Sequence, residues 1–277
     1  LMFRVLPLLL GVSLVPSLFA AHSLHQFERL HLDRYYWSEG ANLGDLNNDG
    51  KLDAISGPYW WEGPEFKKRH ELSPATMTFK TTDRRDMPVI YPGFQGALGK
   101  KNAYSTDNFF TFAHDFTGDG WCDVLTCGLP GTPAYLYVNN GGKAGHWKRF
   151  TVFDEVDNES PTLADITGDG IPEIVCNNGG NFGYAGPDPK NPTTKWKFVS
   201  ISKDGKWGRF THGLGVGDVN GDGRSDLLFK HGWFEQPASL TGNPEWKLHS
   251  QVFSPAGGAQ MFAYDVNGDG LNDVITS

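Results

Sequence analysis

The chain has 277 residues, with 35 glycines, 17 prolines and 13% aromatic residues, a composition typical of many short β-strands joined by turns. Its formal charge is −8, but Lys and Arg are scattered without a basic run, which argues against a nucleic-acid partner. Beyond the first 21 residues no stretch of 18 apolar residues occurs, so the sequence predicts no membrane span in the body of the protein.

The N-terminal segment has the layout of a secretory signal peptide. Arg4 is followed by an apolar run, and small residues stand at Ala20 and Ala21, in the order of a charged region, a hydrophobic region and a cleavage site. We therefore predict that residues 1–21 are a signal peptide. Residues 22–277 would then form one mature domain that is secreted, periplasmic or on the cell surface.

The first element of the body is an acidic loop, "DLNNDGKLD" from Asp45 to Asp53, and its pattern returns four more times. Side chains with oxygen atoms occupy positions 1, 3, 5 and 9 of every copy, and glycine occupies position 6. In chain order these four positions are Asp45, Asn47, Asp49 and Asp53; Asp115, Thr117, Asp119 and Asp123; Asp165, Thr167, Asp169 and Glu173; Asp218, Asn220, Asp222 and Asp226; and Asp265, Asn267, Asp269 and Asp273. The acidity of the chain is concentrated in these loops, which hold 15 of its 32 Asp and Glu residues.

This pattern predicts calcium sites. Oxygen atoms at alternate positions can converge on one point when the backbone coils around it, and the glycine permits the sharp turn. Ca²⁺ takes about six to eight oxygen ligands at about 2.3–2.6 Å, and an EF-hand would need a Glu at position 12 with flanking helices. Position 12 here is Ser56, Thr126, Cys176, Phe229 or Thr276. The loops are therefore predicted to bind calcium outside an EF-hand.

Each acidic loop runs into a short segment rich in β-branched and apolar residues, such as "DAIS" from Asp53, which predicts a strand. The first aspartates lie 70, 50, 53 and 47 residues apart, a period typical of propeller blades. An aromatic residue before Lys, at Phe66, Trp147, Trp196 and Trp246, marks an outer strand on the same period. We predict an all-β chain, a β-propeller with about five four-stranded blades represented and aromatic residues packed between them.

Two irregularities qualify this prediction. The long first interval predicts a loop-like insertion around residues 70–104. The last acidic loop is followed by only four residues, so five loops give four whole intervals and a fragment. We therefore expect an incomplete propeller ring, in a chain truncated at its C-terminus.

The repeated loop, leading each time into a strand, resembles the FG-GAP/VCBS repeats of integrin-α-like β-propellers of the secreted bacterial type. The resemblance covers residues 30–277 and implies that the oxygen-bearing positions given above are calcium ligands. Thr117 and Thr167 depart from the Asn of the other copies and predict weaker sites, and Glu173 replaces the closing Asp. The Phe-Gly and Gly-Ala-Pro signatures of the integrin subtype are largely missing, so integrin-like recognition is not expected.

A set of polar residues recurs at a fixed distance before the acidic loops. Glu39, Glu159 and His212 each stand six residues before a first aspartate, and Asn108 and Gln260 lie within one residue of that position. If the blades superpose, these side chains surround the mouth of the central channel, where converging polar groups are candidates for a site. A Glu with a His can abstract and return a proton. We therefore predict Glu39, Glu159 and His212 as candidate catalytic groups and Asn108 and Gln260 as candidate substrate-binding residues; the alternative is a solvated ring of loop ends.

Three functions are open on the sequence alone. The first is a secreted calcium-binding scaffold for an unknown protein or carbohydrate, which it would bind through exposed loops. The second is a sugar lyase or dehydratase with its site at the channel mouth, because "GPYWWEGPEF" and "HGWFEQP" have a looser resemblance to the propeller of aldos-2-ulose dehydratases. The third is a purely structural repeat. Whether the protein is an enzyme is left open, since no phosphate loop, nucleophile elbow or HExxH motif occurs.

The three cysteines carry no metal-thiolate signature. Cys122, Cys127 and Cys176 form no CxxC pair. Cys127 and Cys176 stand on predicted apolar strands and are expected to be buried free thiols, although one disulfide is possible in a secreted protein.

Overall fold

The structure is a computed structural model, in which residues 27–96, 104, 107–203, 205, 207–255 and 258–276 are described. The chain divides into two compact units, Leu1–His31 and Leu32–Ser277. Of the first unit only residues 27–31 are described, and they have no regular secondary structure. The predicted signal peptide lies outside the described residues. The second unit is all-β: its described residues form strands and no α-helix.

Among the described residues four blades are complete, and each has four antiparallel strands in which every strand pairs with the next along the chain. The first blade contains β1 (Ala41–Gly44), β2 (Asp53–Ser56), β3 (Tyr59–Trp61) and β4 (Arg69–Glu71). After the hairpin of β5 (Thr78–Thr82) and β6 (Pro88–Pro92), the second contains β7 (Phe110–His114), β8 (Asp123–Cys127), β9 (Thr132–Val138) and β10 (Lys148–Val156). The third contains β11 (Thr162–Ala164), β12 (Glu173–Asn178), β13 (Asn181–Gly186) and β14 (Lys197–Ser200). The fourth contains β15 (Leu214–Gly217), β16 (Asp226–Phe229), β17 (Gly232–Glu235) and β18 (Lys247–Ser250).

A fifth blade is represented by two strands, β19 (Gln260–Tyr264) and β20 (Asp273–Thr276). They pair antiparallel with each other, and β19 pairs parallel with β15, which joins them to the fourth blade. The described strands therefore make an incomplete β-propeller, as the spacing of the acidic loops predicts.

The predicted insertion around residues 70–104 is only partly loop-like. Residues 78–92 form the antiparallel hairpin β5–β6, so the expectation of a loop throughout is wrong for this stretch. The hairpin turns because the Asp83 carboxylate accepts the backbone N–H groups of Arg85 and Met87, at 2.8 and 3.0 Å, which is the local bonding that makes Asp a turn residue. Residues 97–103, 105 and 106 lie outside the described residues.

The hydrophobic core lies in layers between neighbouring blades. One layer joins the second and third blades through residues such as Leu125, Ile174 and Trp196, and similar layers lie between the first and second and between the third and fourth. The aromatic marker residues contribute directly, since Trp147 and Trp196 are buried. Both also donate a backbone hydrogen bond to the preceding blade. Cys127 and Cys176 are buried free thiols within these layers, and Cys122 is also free and is half-buried.

Each acidic loop joins the first two strands of its blade: β1 to β2, β7 to β8, β11 to β12, β15 to β16 and β19 to β20. The sequence repeat and the blade repeat are therefore in register. Neighbouring first strands also lie close together, since the side-chain amide of Asn42 on β1 donates to the carbonyl of Thr111 on β7 at 2.7 Å.

Candidate functional site

The first aspartate organises each acidic loop. In the first loop Asp45 Oδ1 accepts the N–H of Asp49 at 3.0 Å, and Oδ2 accepts that of Gly50 at 2.8 Å. Gly50 has φ of 81°, a backbone conformation that other residues rarely adopt. The other four loops repeat both bonds at 2.8–3.1 Å. The backbone thus coils about the first carboxylate, which is the arrangement that the calcium prediction requires.

The closing aspartates of the first, second and fourth loops are buried and hold the blade together. Asp53 Oδ2 accepts the N–H of Leu46 at 2.8 Å, and Oδ1 accepts that of Gly63, just after β3, at 2.9 Å. Asp123 and Asp226 make the same two kinds of bond. Burial raises the pKa of all three carboxyls, that of Asp123 to about 6, and the N–H bonds partly oppose this shift.

The third loop closes differently because of a proline. In the other three complete blades a residue one or two positions after the third strand donates its N–H to the closing carboxylate; these residues are Gly63, Asn139 and Gln236. The corresponding residue in the third blade is Pro187, which has no N–H to donate. Glu173 therefore lacks this partner on the third strand.

Glu173 bonds within its own loop instead. Its Oε1 accepts the hydroxyl of Thr167 at 2.9 Å, and its Oε2 accepts the N–H of Ile166 at 3.0 Å. Burial raises the pKa of Glu173 to about 7, while these two hydrogen bonds act to lower it. Carboxylate oxygens of Asp165, Asp169 and Glu173 lie within 4.8 Å of one another. Such a group of hard oxygen donors fits a calcium ion.

The other loops do not gather their carboxylates as closely. Among the described residues, Asp165, Asp169 and Glu173 make the only group of three His, Cys, Asp or Glu side chains near enough to share an ion. In the first loop Asn47 Oδ1 accepts the N–H of Asp49 at 3.0 Å, so position 3 presents an amide oxygen. In the second loop the Thr117 hydroxyl lies 3.4 Å from a carboxylate oxygen.

Side-chain amides, which the sequence reading missed, tie acidic loops to the following blade. Asn139 Nδ2 donates to the carbonyls of Leu46, in the first loop, and Cys122, in the second, both at 2.9 Å. Gln236 repeats this link between the third and fourth blades, with Nε2 2.5 Å from the carbonyl of Ile166. Both amides directly follow a third strand, a position that the oxygen-ligand pattern does not include.

The predicted channel-mouth residues are brought together in part. His212 Nε2 contacts Glu159 Oε2, and Glu159 and Gln260 line one cavity of about 440 Å³. Glu39 lines a second cavity of about 330 Å³, and Gln260 and Phe110 lie in the walls of both. The register thus places Glu159, His212 and Gln260 at one location, with Glu39 in the adjoining cavity.

Asn108 lies behind the wall of the Glu39 cavity and does not line it. It is buried, it lines a different cavity of about 70 Å³, and its Oδ1 accepts the Thr111 hydroxyl at 2.7 Å. Near Glu39, the phenol of Tyr36 has its pKa raised above the usual range, first by burial and then by its hydrogen bond to the Glu39 carboxylate. The Asn108 side chain therefore braces the start of β7, where its partner Thr111 lines the Glu39 cavity.

Comparison with known proteins identifies the repeat. Residues 115–176, which contain the second and third acidic loops, match the family model of the FG-GAP-like repeat. The chain therefore contains FG-GAP-like repeats, as its acidic loops predict. No curated protein matches the chain. The resemblance to aldos-2-ulose dehydratases stays a prediction.

Two solved structures are similar to the chain. One shows recognition of non-reducing terminal N-acetylglucosamine by an Agrocybe aegerita lectin, with 19% identity, a TM-score of 0.48 and coverage of 86% of this chain. The other is the V. cholerae biofilm matrix protein Bap1, with 19% identity, a TM-score of 0.35 and coverage of 60% of this chain. The chain spans 60% of the lectin and 27% of the matrix protein. Among the described residues there is no helix of the length and hydrophobicity that a membrane span needs.

Proposed function

We propose that the protein is a secreted, calcium-binding β-propeller that acts as a binding scaffold for a protein or a glycan. The observation that carries the proposal is the approach of Asp165, Asp169 and Glu173 to within 4.8 Å, inside the stretch that matches the FG-GAP-like repeat. Secretion rests on the layout of residues 1–21.

Calcium would stabilise the frame of the propeller. A bound cation supplies the positive charge that offsets repulsion among the carboxylates of a loop. The protein's own residues then transmit the effect, because Asn139 and Gln236 connect the loops to neighbouring blades. A ligand that binds only the native state raises its stability by mass action, so calcium should stabilise contacts between blades as well as single loops.

The proposal is tested by calcium titration calorimetry and by thermal melting in calcium and in excess chelator. We expect calcium to bind and the chelator to lower the melting temperature by several degrees, because loss of a bound ligand removes its stabilisation. A double variant, Asp165→Asn with Asp169→Asn, should lose part of the bound calcium. An identical melting curve in calcium and in chelator would contradict the proposal.

A second candidate function, a sugar lyase or dehydratase, is favoured by one contact. Glu159 and His212 meet beside a cavity of about 440 Å³, and such a pair can remove a proton and return it during elimination from a sugar. If wild-type protein turns over a sugar, Glu159→Gln and His212→Ala should abolish turnover and leave calcium-dependent melting intact. Turnover retained in both variants would exclude this pair as the catalytic groups.

A further inference from the structure

A cleft between the first and second blades, separate from the channel mouth, has the features of a ligand site. It has a volume of about 510 Å³, within the range of small-molecule sites. The hairpin β3–β4 forms one wall and the turn between β9 and β10 forms the other. Asn47 of the first acidic loop also lines it, and the buried Trp60 and Trp147 lie at its edge. We refer to it as the first-blade cleft.

Four side chains on β3–β4 and the residues beside it form a connected group in this cleft. The rings of Trp60 and His70, opposite each other on β3 and β4, stack with centroids 4.1 Å apart and an angle of 13°. Glu62 Oε1 lies 2.7 Å from His70 Nε2 and 2.6 Å from Lys68 Nζ. Both donors thus share one oxygen of Glu62, and Oε2 has no hydrogen bond to any of the residues that the structure describes.

The fourth blade carries the same group. Trp233 and His249 stack at 4.1 Å and 7°, and Glu235 Oε2 lies 2.6 Å from His249 Nε2 and 3.5 Å from Lys247 Nζ. Hydrogen bonds from these neighbours hold the pKa of Glu235 below its usual range, and Lys68 does the same for Glu62. Among the described residues, no turn like that between β9 and β10 lies beside this second group.

The second-blade wall is held in place by local packing. Gly141 and Gly142 have φ of 68° and 74° and lie against the indole of Trp121. Asn140 Nδ2 donates to the carbonyl of Gly145 at 3.0 Å. These contacts therefore hold the turn between β9 and β10, which faces Glu62, in one conformation.

The two walls also meet directly. His146 Nε2, on the second blade, lies 3.0 Å from Glu71 Oε2, on the first. Just beyond this pair, the backbone N–H of Trp147 donates to the carbonyl of Leu72 at 2.8 Å. The cleft is therefore bounded by contacts between blades as well as by each wall.

The chemistry of the lining favours an uncharged ligand with many hydroxyl groups. The formal charges of Glu62 and Glu71 are balanced by those of Lys68 and Lys143, so the cleft carries no net charge when its histidines are neutral. It offers carboxylate and amide acceptors together with imidazole and ammonium donors. A few polar groups placed beside aromatic side chains are typical of small-molecule sites.

We propose that the first-blade cleft binds a neutral saccharide unit, whose hydroxyl groups bond to Glu62 and His70. This inference rests on the proposed function as a scaffold and names the ligand class and the site. Glu62 supplies the acceptor Oε2 and is fixed by Lys68, while His70 is fixed by its stack on Trp60. The fourth-blade copy has the same contacts between its strands, but no turn within the described residues faces it, so we expect no binding there in this chain.

The test is calorimetry of the calcium-loaded chain with neutral mono- and disaccharides, compared with the corresponding uronic acids and amino sugars. Glu62→Gln should weaken saccharide binding about tenfold, the effect of losing one hydrogen bond to a charged group, and Glu235→Gln, its matched control, should leave it unchanged. His70→Gln and its control His249→Gln give a second pair. Both members of each pair should melt at similar temperatures, because the folded-state contacts are the same.

Three results would overturn the inference: equal loss of binding in both members of a pair, unchanged affinity in Glu62→Gln, or binding by wild type only of charged sugars, of peptides or of no saccharide. None of these affects calcium-dependent melting. Loss of calcium dependence, by contrast, would contradict the proposed function and leave the saccharide measurement as a separate result.

Discussion

Pro187 gives Glu173 a different role from the closing residues of the other complete blades. Asp53, Asp123 and Asp226 each bridge two backbone N–H groups, so their charge is used to join the loop to the third strand. Without an N–H at Pro187, Glu173 bonds, among the described residues, only to its own loop and approaches the other carboxylates. The closing aspartates therefore connect the loop to the third strand, whereas Glu173 bonds mainly within its loop.

We predict that two conservative substitutions lower stability in different ways, one with or without calcium and the other mainly when calcium is present. Asp226→Asn should lower the free energy of unfolding by about 1–3 kcal/mol even in chelator, because an amide NH2 then faces a buried backbone donor. Glu173→Gln should cost less in chelator, because the Thr167 hydroxyl can rotate to accept from the new amide, and should reduce the stabilisation by added calcium. Urea denaturation with and without calcium measures both. Equal effects in chelator would show that the closing residues are equivalent.

The threonine at position 3 gives a second prediction at this scale. Thr117 directs its hydroxyl toward a carboxylate oxygen at 3.4 Å, whereas Asn47 presents its amide oxygen to the loop backbone. Thr117→Asn should therefore strengthen calcium binding at the second loop, measured by calorimetry against wild type. Asn47→Thr is the reciprocal variant and should weaken the first loop. A gain from both changes, or from neither, would contradict this account.

At the scale of the element, the links between blades depend on side-chain amides. Asn139→Ala should lower the free energy of unfolding by about 2–3 kcal/mol, because the buried carbonyls of Leu46 and Cys122 lose their donor. The adjacent Asn140→Ala is the control: its bond to Gly145 is exposed, so the change should stay within about 0.5 kcal/mol. Chemical denaturation of the two variants gives the comparison. A loss in Asn139→Ala as small as that in Asn140→Ala would mean that the amide link contributes little to stability.

Elements were more predictable than contacts. The five acidic loops, the strands that follow them and the blade period are local patterns, and the structure has all of them. The amide of Asn139 escapes such reading because its partner Leu46 is 93 residues away. The role of Pro187 escapes it because the missing bond is defined only by strand pairing. The channel-mouth register brought Glu159 and His212 together, but Asn108 lines another cavity. It stands seven rather than six residues before its first aspartate, and a shift of one residue turns a side chain to the opposite face of a strand.

At the scale of the whole molecule, the links between loops and blades predict how calcium removal acts. Because a loop of one blade is bonded to the next, chelator should shift the entire unfolding transition of the propeller to lower temperature as one step. Far-UV circular dichroism and tryptophan fluorescence should give coincident curves in both conditions. An early separate transition in fluorescence would show that the loops unfold without the blades.

The amide links also impose an order on biosynthesis. Leu46 leaves the ribosome 93 residues before Asn139, and Ile166 leaves 70 residues before Gln236. At roughly 5–20 residues per second, each of these turns waits for several seconds before the side chain that anchors it has been made. The loop carbonyls of the first and third blades therefore gain this donor only after most of the following blade has been made.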